Sequence, residues 1–279
     1  MEAPQSKTDF LKLSAQAGEI ESLYAERDVR LPAECTLAAW IANVRSVADK
    51  RATSPESGHT PMEHFQAIQL YRVTDAILAL RDVEGGDSYL RKITANLDFF
   101  NSERSVAKDI FWELELWWMI RRKLPTARLK DPPDIMLDLD GGTLGLACKS
   151  VYSEASVEKA LSTGVKQVTG NCDVGVVAFN IDSLLPKDCV INAEDKAGLD
   201  QLLHPKIDGF IERHRRHMDR YLNKQRLAAI VVCISGVGDI HGWSVAFNTV
   251  RSTTIYAARA PTKIAGRLVD QFNEILAVA

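Results

Sequence analysis

Near residue 100 the spacing of apolar residues changes period, and that change predicts a helical segment followed by a mixed α/β segment. From Thr8 to about Phe100 apolar residues recur every three or four positions, as in TLAAWIANVRSVADK and HFQAIQLYRVTDAILAL, the repeat of a helix with one buried side. No strand pattern interrupts it. Residues 51–63 (RATSPESGHTPME) read as a loop, with Thr60-Pro61 and Glu63 marking a helix start, and Glu84-Gly85-Gly86-Asp87 is a second break. Residues 105–123 (SVAKDIFWELELWWMIRRK) predict one more long helix with an apolar stripe. A proline-marked loop follows, and the period then falls to two.

Residues 133–139 (PDIMLDL) and 143–150 (TLGLACKS) predict two strands joined through Asp140-Gly141-Gly142, because a Gly-Gly loop adopts the positive φ angles of a tight hairpin. A helix over about 153–168 comes next, then an apolar strand at 174–181, a helix-rich stretch over about 193–224 and a strand at 227–235. WSVAFNTV (243–250) and a terminal helix from Pro261 close the order. This alternation implies a mixed sheet covered by helices on both faces. The boundary falls near residue 100, giving a helical region 1–100 and an α/β domain 101–279, although the first helices could equally pack on the sheet as one body.

A chain of 279 residues with 46% hydrophobic and 25% charged residues has enough material for a core and lacks the composition of a disordered or collagen-like polymer. No apolar run reaches the roughly 18 to 20 residues that span a bilayer, and the opening MEAPQSKTDF lacks a signal-peptide pattern, so a cytoplasmic location is expected and no membrane partner. The formal charge of −3 requires any polyanion to meet a local basic patch. Five scattered cysteines without a C-x-x-C pair argue against a zinc ribbon or disulfide framework, and His204, His214, His217 and His241 show no zinc spacing. Gly236-Val237-Gly238 lacks the third glycine and the lysine of a nucleotide loop.

If the hairpin turns on Gly141-Gly142, Asp140 lies opposite Thr143 and Asp134 directly across from Lys149. Period two then places Asp134, Met136, Asp138, Ala147 and Lys149 on one face, and Ile135, Leu137, Leu139, Leu144, Leu146 and Cys148 on the other. One face is apolar; the other carries an acid and an amine. Each feature alone has an ordinary reading, since Pro-Asp is common turn chemistry and a strand lysine usually reaches water. The ordered set carries more: a helix glutamate, a Pro-Asp strand, a tight hairpin, an x-x-Lys strand and a following helix with Gln167.

Through Pro133-Asp134 and Ala147-Cys148-Lys149 the chain resembles the PD-(D/E)XK nuclease superfamily, the restriction-endonuclease-like fold, over roughly residues 106–181. The resemblance implies an Mg²⁺-dependent (or Mn²⁺-dependent) nuclease acting on nucleic acid, DNA first, in a setting such as bacterial defence. It implies Asp134 and a helix acid as metal ligands and Lys149 as the water-positioning cation. Glu113 is favoured as that acid for its buried-side neighbours Trp117 and Ile120, with Glu115 as alternate. Gln167 matches a glutamine found near the lysine in several branches. Ala147 departs from the pattern, standing where a second metal-binding carboxylate belongs. Three accounts stay open: the acid has moved to Glu154 or Glu158, the domain binds without cutting, or the residue is an engineered replacement.

Arg121, Arg122 and Lys123, followed by Arg128 and Lys130, form one basic stretch, and residues 212–226 with Arg215 and Arg216 form another. Either could track phosphates, or simply be a helix C-terminus and a solvated face. Trp112, Trp117 and Trp118 at helical spacing predict core. A homodimer or protein partner could use the N-terminal helices.

Overall fold

Among the described residues five α-helices precede the first strand: α1 (Gln5–Glu26), α2 (Thr36–Thr53), α3 (Pro61–Leu78), the short α4 (Gly86–Lys92) and α5 (Val106–Arg121). They belong to a computed structural model that describes residues 5–54, 58, 60–99, 101–186, 190–223, 227–240, 247–257 and 262–277. The start of α3 follows its sequence signal: Thr60 Oγ1 accepts the Glu63 N–H at 3.2 Å and Glu63 Oε2 accepts the Thr60 N–H at 2.7 Å, with Pro61 next to the cap.

Among the described residues seven strands form an open mixed sheet: β1 (Arg128–Leu129), β2 (Ile135–Leu139), β3 (Gly142–Ser150), β4 (Val174–Asn180), β5 (Val190–Ala193), β6 (Ala229–Ile240) and β7 (Phe247–Ala257). β1, β2 and β3 run antiparallel in order, β4 lies parallel to β3, and β6 lies parallel to β4. β7 pairs antiparallel with β6 along nearly its whole length, so β4 and β5 share the opposite edge of β6 at successive stretches. Helices α6 (Val157–Val168), α7 (Lys196–Leu222) and α8 (Lys263–Ala277) complete the chain.

Alternation along the strands feeds two cores. Ile135, Leu137, Leu144, Leu146, Val176 and Ala178 join a cluster that also holds side chains of α1 to α5 and α8. Ala147, Val177, Phe179, Ile230 and Val232 face the second cluster, beneath α6 and α7. The central strands β4 and β6 are thus apolar on both sides, as parallel strands covered by helices require. The helices before residue 100 share the first core with the sheet without a break. Trp112 and Trp117 lie inside it, their indole N–H groups donating to Ala178 O at 3.1 Å and Ala127 O at 3.0 Å.

The hairpin register differs from the expected one by two residues. Leu139 pairs with Gly142 and Ile135 with Leu146, so the loop is Asp140-Gly141 instead of Gly141-Gly142. Gly141 at φ 98° takes the left-handed position of that two-residue turn. A two-residue slip leaves every side chain on its expected face, but it brings Asp134 toward Ala147 and puts Lys149 on the diagonal. Three further features were not expected. β1 is two residues long, β5 is short, and β6 and β7 continue to Ile240 and Ala257, beyond the apolar runs that signal them. Residues 243–246 of WSVAFNTV, His241 and Cys189 lie outside the described residues.

Candidate active site

The site begins where β2 begins. Pro133 sits against β3 at Gly145, where a Cβ would lie 2.9 Å from the proline ring and 2.6 Å from Cys172 Sγ, so only glycine lets the Pro-Asp segment approach this closely. Asp134 follows, its side chain 5% exposed. Its Oδ2 accepts the Cys148 N–H at 2.6 Å and the Lys149 ammonium at 3.3 Å; its Oδ1 accepts Gln167 Nε2 at 3.1 Å from α6. Lys149 Nζ also donates to the Cys148 carbonyl at 2.6 Å, which holds the ammonium over the strand end. Acid, amine and amide therefore meet in one place, brought by β2, β3 and α6.

Glu113 reaches the same place from α5. Burial, and after it the Asp134 charge, raises its carboxyl to about 8, with Lys149 and Lys92 opposing. Asp134 is likewise raised, chiefly by burial against the pull of Lys149 and the Cys148 N–H. Two carboxylates that resist ionising together form a set a cation would complete. Gln167 supplies a second sign: its Oε1 is buried without a donor, although its Nε2 is bound to Asp134. An oxygen-only pair of carboxylates with a spare amide oxygen suits a hard ion such as Mg²⁺ or Mn²⁺, which needs only one or two protein carboxylates beside water. Among the described residues no three His, Cys, Asp or Glu side chains form a protein-only cage.

Glu115, the alternate metal ligand, belongs elsewhere. Two residues along α5 it turns to the other side, 7% exposed, where Arg72 Nε and Nη2 donate to it at 2.7 and 2.8 Å and Arg251 makes a third pairing. Burial alone would raise its carboxyl, but Arg251 and Arg72 hold it down at about 2. It is a structural anchor between α3, α5 and β7.

The relocated-acid account fails for both glutamates. Glu154 pairs with Arg213 and contacts His214, and Glu158 pairs with Arg220 at 2.8 Å, so each faces α7 and not Asp134. Ala147 is fully buried in the second core, 3.4 Å from where a Cβ on Gly164 of α6 would stand. A carboxylate there would stand in that apolar cluster. The acid closer to hand is Asp131, exposed in the loop before Asp134, whose charge acts on both Glu113 and Asp134. The D-P-P-D spelling of residues 131–134 was its available signal. Tyr89 and Lys92, from α4, also border the site, and no local pattern announces them because tertiary packing alone delivers that helix.

Of the basic residues, Arg121 stacks on the Trp117 ring at 4.9 Å, while Arg122, Lys123 and Lys130 are exposed. Arg128 pairs with Asp138 at 2.8 Å. On α7, Arg215 pairs with Glu212 of its own helix at 2.7 Å, and Arg216 is exposed beside the row of pairings that Glu154 and Glu158 make. No helix among the described residues is long and apolar enough to cross a membrane. The chain matches no protein-family model, and comparison with curated proteins and with solved structures gives no match.

Proposed function

We propose that this protein is a metal-dependent nuclease of the PD-(D/E)XK kind, built on a restriction-endonuclease-like domain, that hydrolyses phosphodiester bonds in nucleic acid. The single observation that carries the reading is the convergence of Asp134, Lys149 and Gln167 within hydrogen-bond reach, with Glu113 close enough for its charge to feel both Asp134 and Lys149. Asp134 and Glu113 would hold Mg²⁺ or Mn²⁺, which when bound lowers the pKa of water and neutralises charge on the phosphate. The order of helix, antiparallel hairpin, helix and parallel strand agrees with that family's arrangement.

The chain's own groups divide the remaining work. Lys149, oriented by the Cys148 carbonyl and Asp134, presents a compact positive charge that stabilises negative charge growing on a phosphate oxygen. Gln167 fixes the rotation of Asp134 by holding Oδ1. Glu113, whose proton is favoured by burial and by the Asp134 charge in the metal-free chain, would give it up on taking the ion.

The test is cleavage of plasmid, single-stranded DNA and RNA with Mg²⁺ or Mn²⁺. Lys149→Ala should lower the rate by about 10²-fold or more, the usual worth of a positioned charge in a transition state. Cleavage that ignores Lys149→Ala removes the assignment. A second reading, a silent nucleic-acid-binding or partner-binding module on the same fold, is favoured by Ala147, which leaves the site one carboxylate short. It predicts binding without divalent ions and no cutting by any variant.

A further inference from the structure

A cleft open to solvent lies beyond the C-terminal end of β4, between α3 and β6, apart from the Asp134 and Lys149 pair. That is where open α/β sheets accept ligands. Its walls are mainly apolar, with Ile68, Leu185, Pro186 and Val237, and α3 sends two buried polar side chains into it, Gln69 and Arg72. Gln69 is 6% exposed and the Arg72 side chain 7%. They stand three residues apart, on one helix face.

Both offer a donor with nothing to receive it. Gln69 Oε1 accepts the Phe99 N–H at 2.9 Å, which fixes the amide and leaves Nε2 as the outward group. Arg72 commits Nε and Nη2 to Glu115, and Nη2 also to Asp182 at 2.8 Å, while its guanidinium lies 4.4 Å over the Phe99 ring. Among the described residues Gln69 Nε2 and Arg72 Nη1 have no acceptor, yet neither is sealed off from the cleft. Two adjacent donors call for two adjacent acceptors.

Charge decides what carries them. Arg72 and Arg251 are already balanced by Glu115 and Asp182, so a carboxylate or phosphate entering this largely apolar cleft would arrive as an uncompensated buried anion. A neutral, flat acceptor edge avoids that penalty. We propose that the cleft is a nucleobase subsite for guanine, through O6 and N7, or cytosine, through O2 and N3. Adenine sets a donor beside its N7, and uracil sets a donor between its two oxygens, so either leaves a buried donor facing a donor. Choosing a nucleobase among neutral heteroaromatic rings rests on the nucleic-acid reading above; the donor pair and its demand for a neutral acceptor edge do not.

The experiment measures guanosine, cytidine, adenosine and uridine binding to the full chain by calorimetry and saturation-transfer NMR. Guanosine and cytidine should bind at least about tenfold more tightly than the other two, the discrimination of one good bidentate pair. Gln69→Glu keeps the acceptor for the Phe99 N–H but turns the donor into an acceptor, and should erase the preference. Ser183→Phe, on the cleft wall, should weaken all binding and decides the matter if Gln69→Glu does not fold. Equal binding of the four, no binding, or indifference to Ser183→Phe overturns the proposal. Repeating the titration on Lys149→Ala separates the two sites: a retained preference in a chain whose wild type cuts nothing keeps the subsite and removes the nuclease, and cutting without any nucleoside preference does the reverse.

Discussion

Glu115→Ala should destabilise the fold by about 3–5 kcal/mol, the usual cost of removing one partner from a buried ion pair. The structure gives reason to expect the whole of that range. Glu115 is 7% exposed and joined to both Arg72 and Arg251, so its loss leaves the buried Arg72 with Asp182 alone and takes the carboxylate from the half-buried Arg251. At roughly 2–4 °C per kcal/mol for a chain of this size, the melting temperature should fall by about 6–20 °C. The pH dependence follows from the carboxyl lying at about 2 in the folded protein against an ordinary 4.5. A depressed folded pKa means stability present above 4.5 and lost as pH falls through 2, so the gap between wild type and variant should stay full at pH 7 and close in strong acid. Circular dichroism melts at pH 7, pH 4 and pH 2 measure it. A melting point within about 2 °C of wild type at pH 7 would falsify the claim that this carboxylate anchors α3 and β7.

Glu113→Gln, two residues away, should act with the opposite sign. Its folded pKa of about 8 lies above the ordinary 4.5, so wild type loses stability relative to the variant as pH rises from about 4.5 through 8, and melts at pH 9 should favour glutamine. Ala147→Glu should not restore a missing ligand; it places a carboxylate in an apolar core against Gly164 and should cost several kcal/mol, read as a lowered melting point without any gain in cleavage. If nucleic acid binds, neutralising Arg122 and Lys123 should flatten the log–log salt dependence of affinity more than neutralising Arg215, whose charge is already answered by Glu212.

What the sequence disclosed depended on how local the cause was. The capping box at Thr60, the long helix of residues 106–121 and the strand faces of β2 and β3 rest on neighbours in the chain, and they are legible there. The hairpin shows the limit of that logic. Asp140-Gly141 and Gly141-Gly142 are both acceptable loops, and only pairing across the sheet selects between them. Because the choice changes the register by two, Asp134 and Lys149 keep their common face under either loop, which is why their meeting was foreseeable although its geometry was not.

Glu113 and Glu115 mark where local reasoning ends. Both sit on α5 among apolar neighbours, and a helical wheel turns them about 200° apart, yet nothing in the helix itself says which side carries chemistry. The decision is made at a distance: Arg72 from α3 and Arg251 from β7 claim Glu115, while Asp134, Lys149 and Lys92 surround Glu113. One helix therefore carries two carboxylates shifted in opposite directions, Glu113 up by burial and the Asp134 charge, Glu115 down by Arg251 and Arg72. The N-terminal helices take part in that division, since α3 supplies the arginine that takes Glu115 and α4 the lysine beside Glu113. Deleting them would take Arg72 from Glu115 and Lys92 from Glu113, leaving Arg251 and Lys149 as the remaining cations, so the region before residue 100 helps to shape the site.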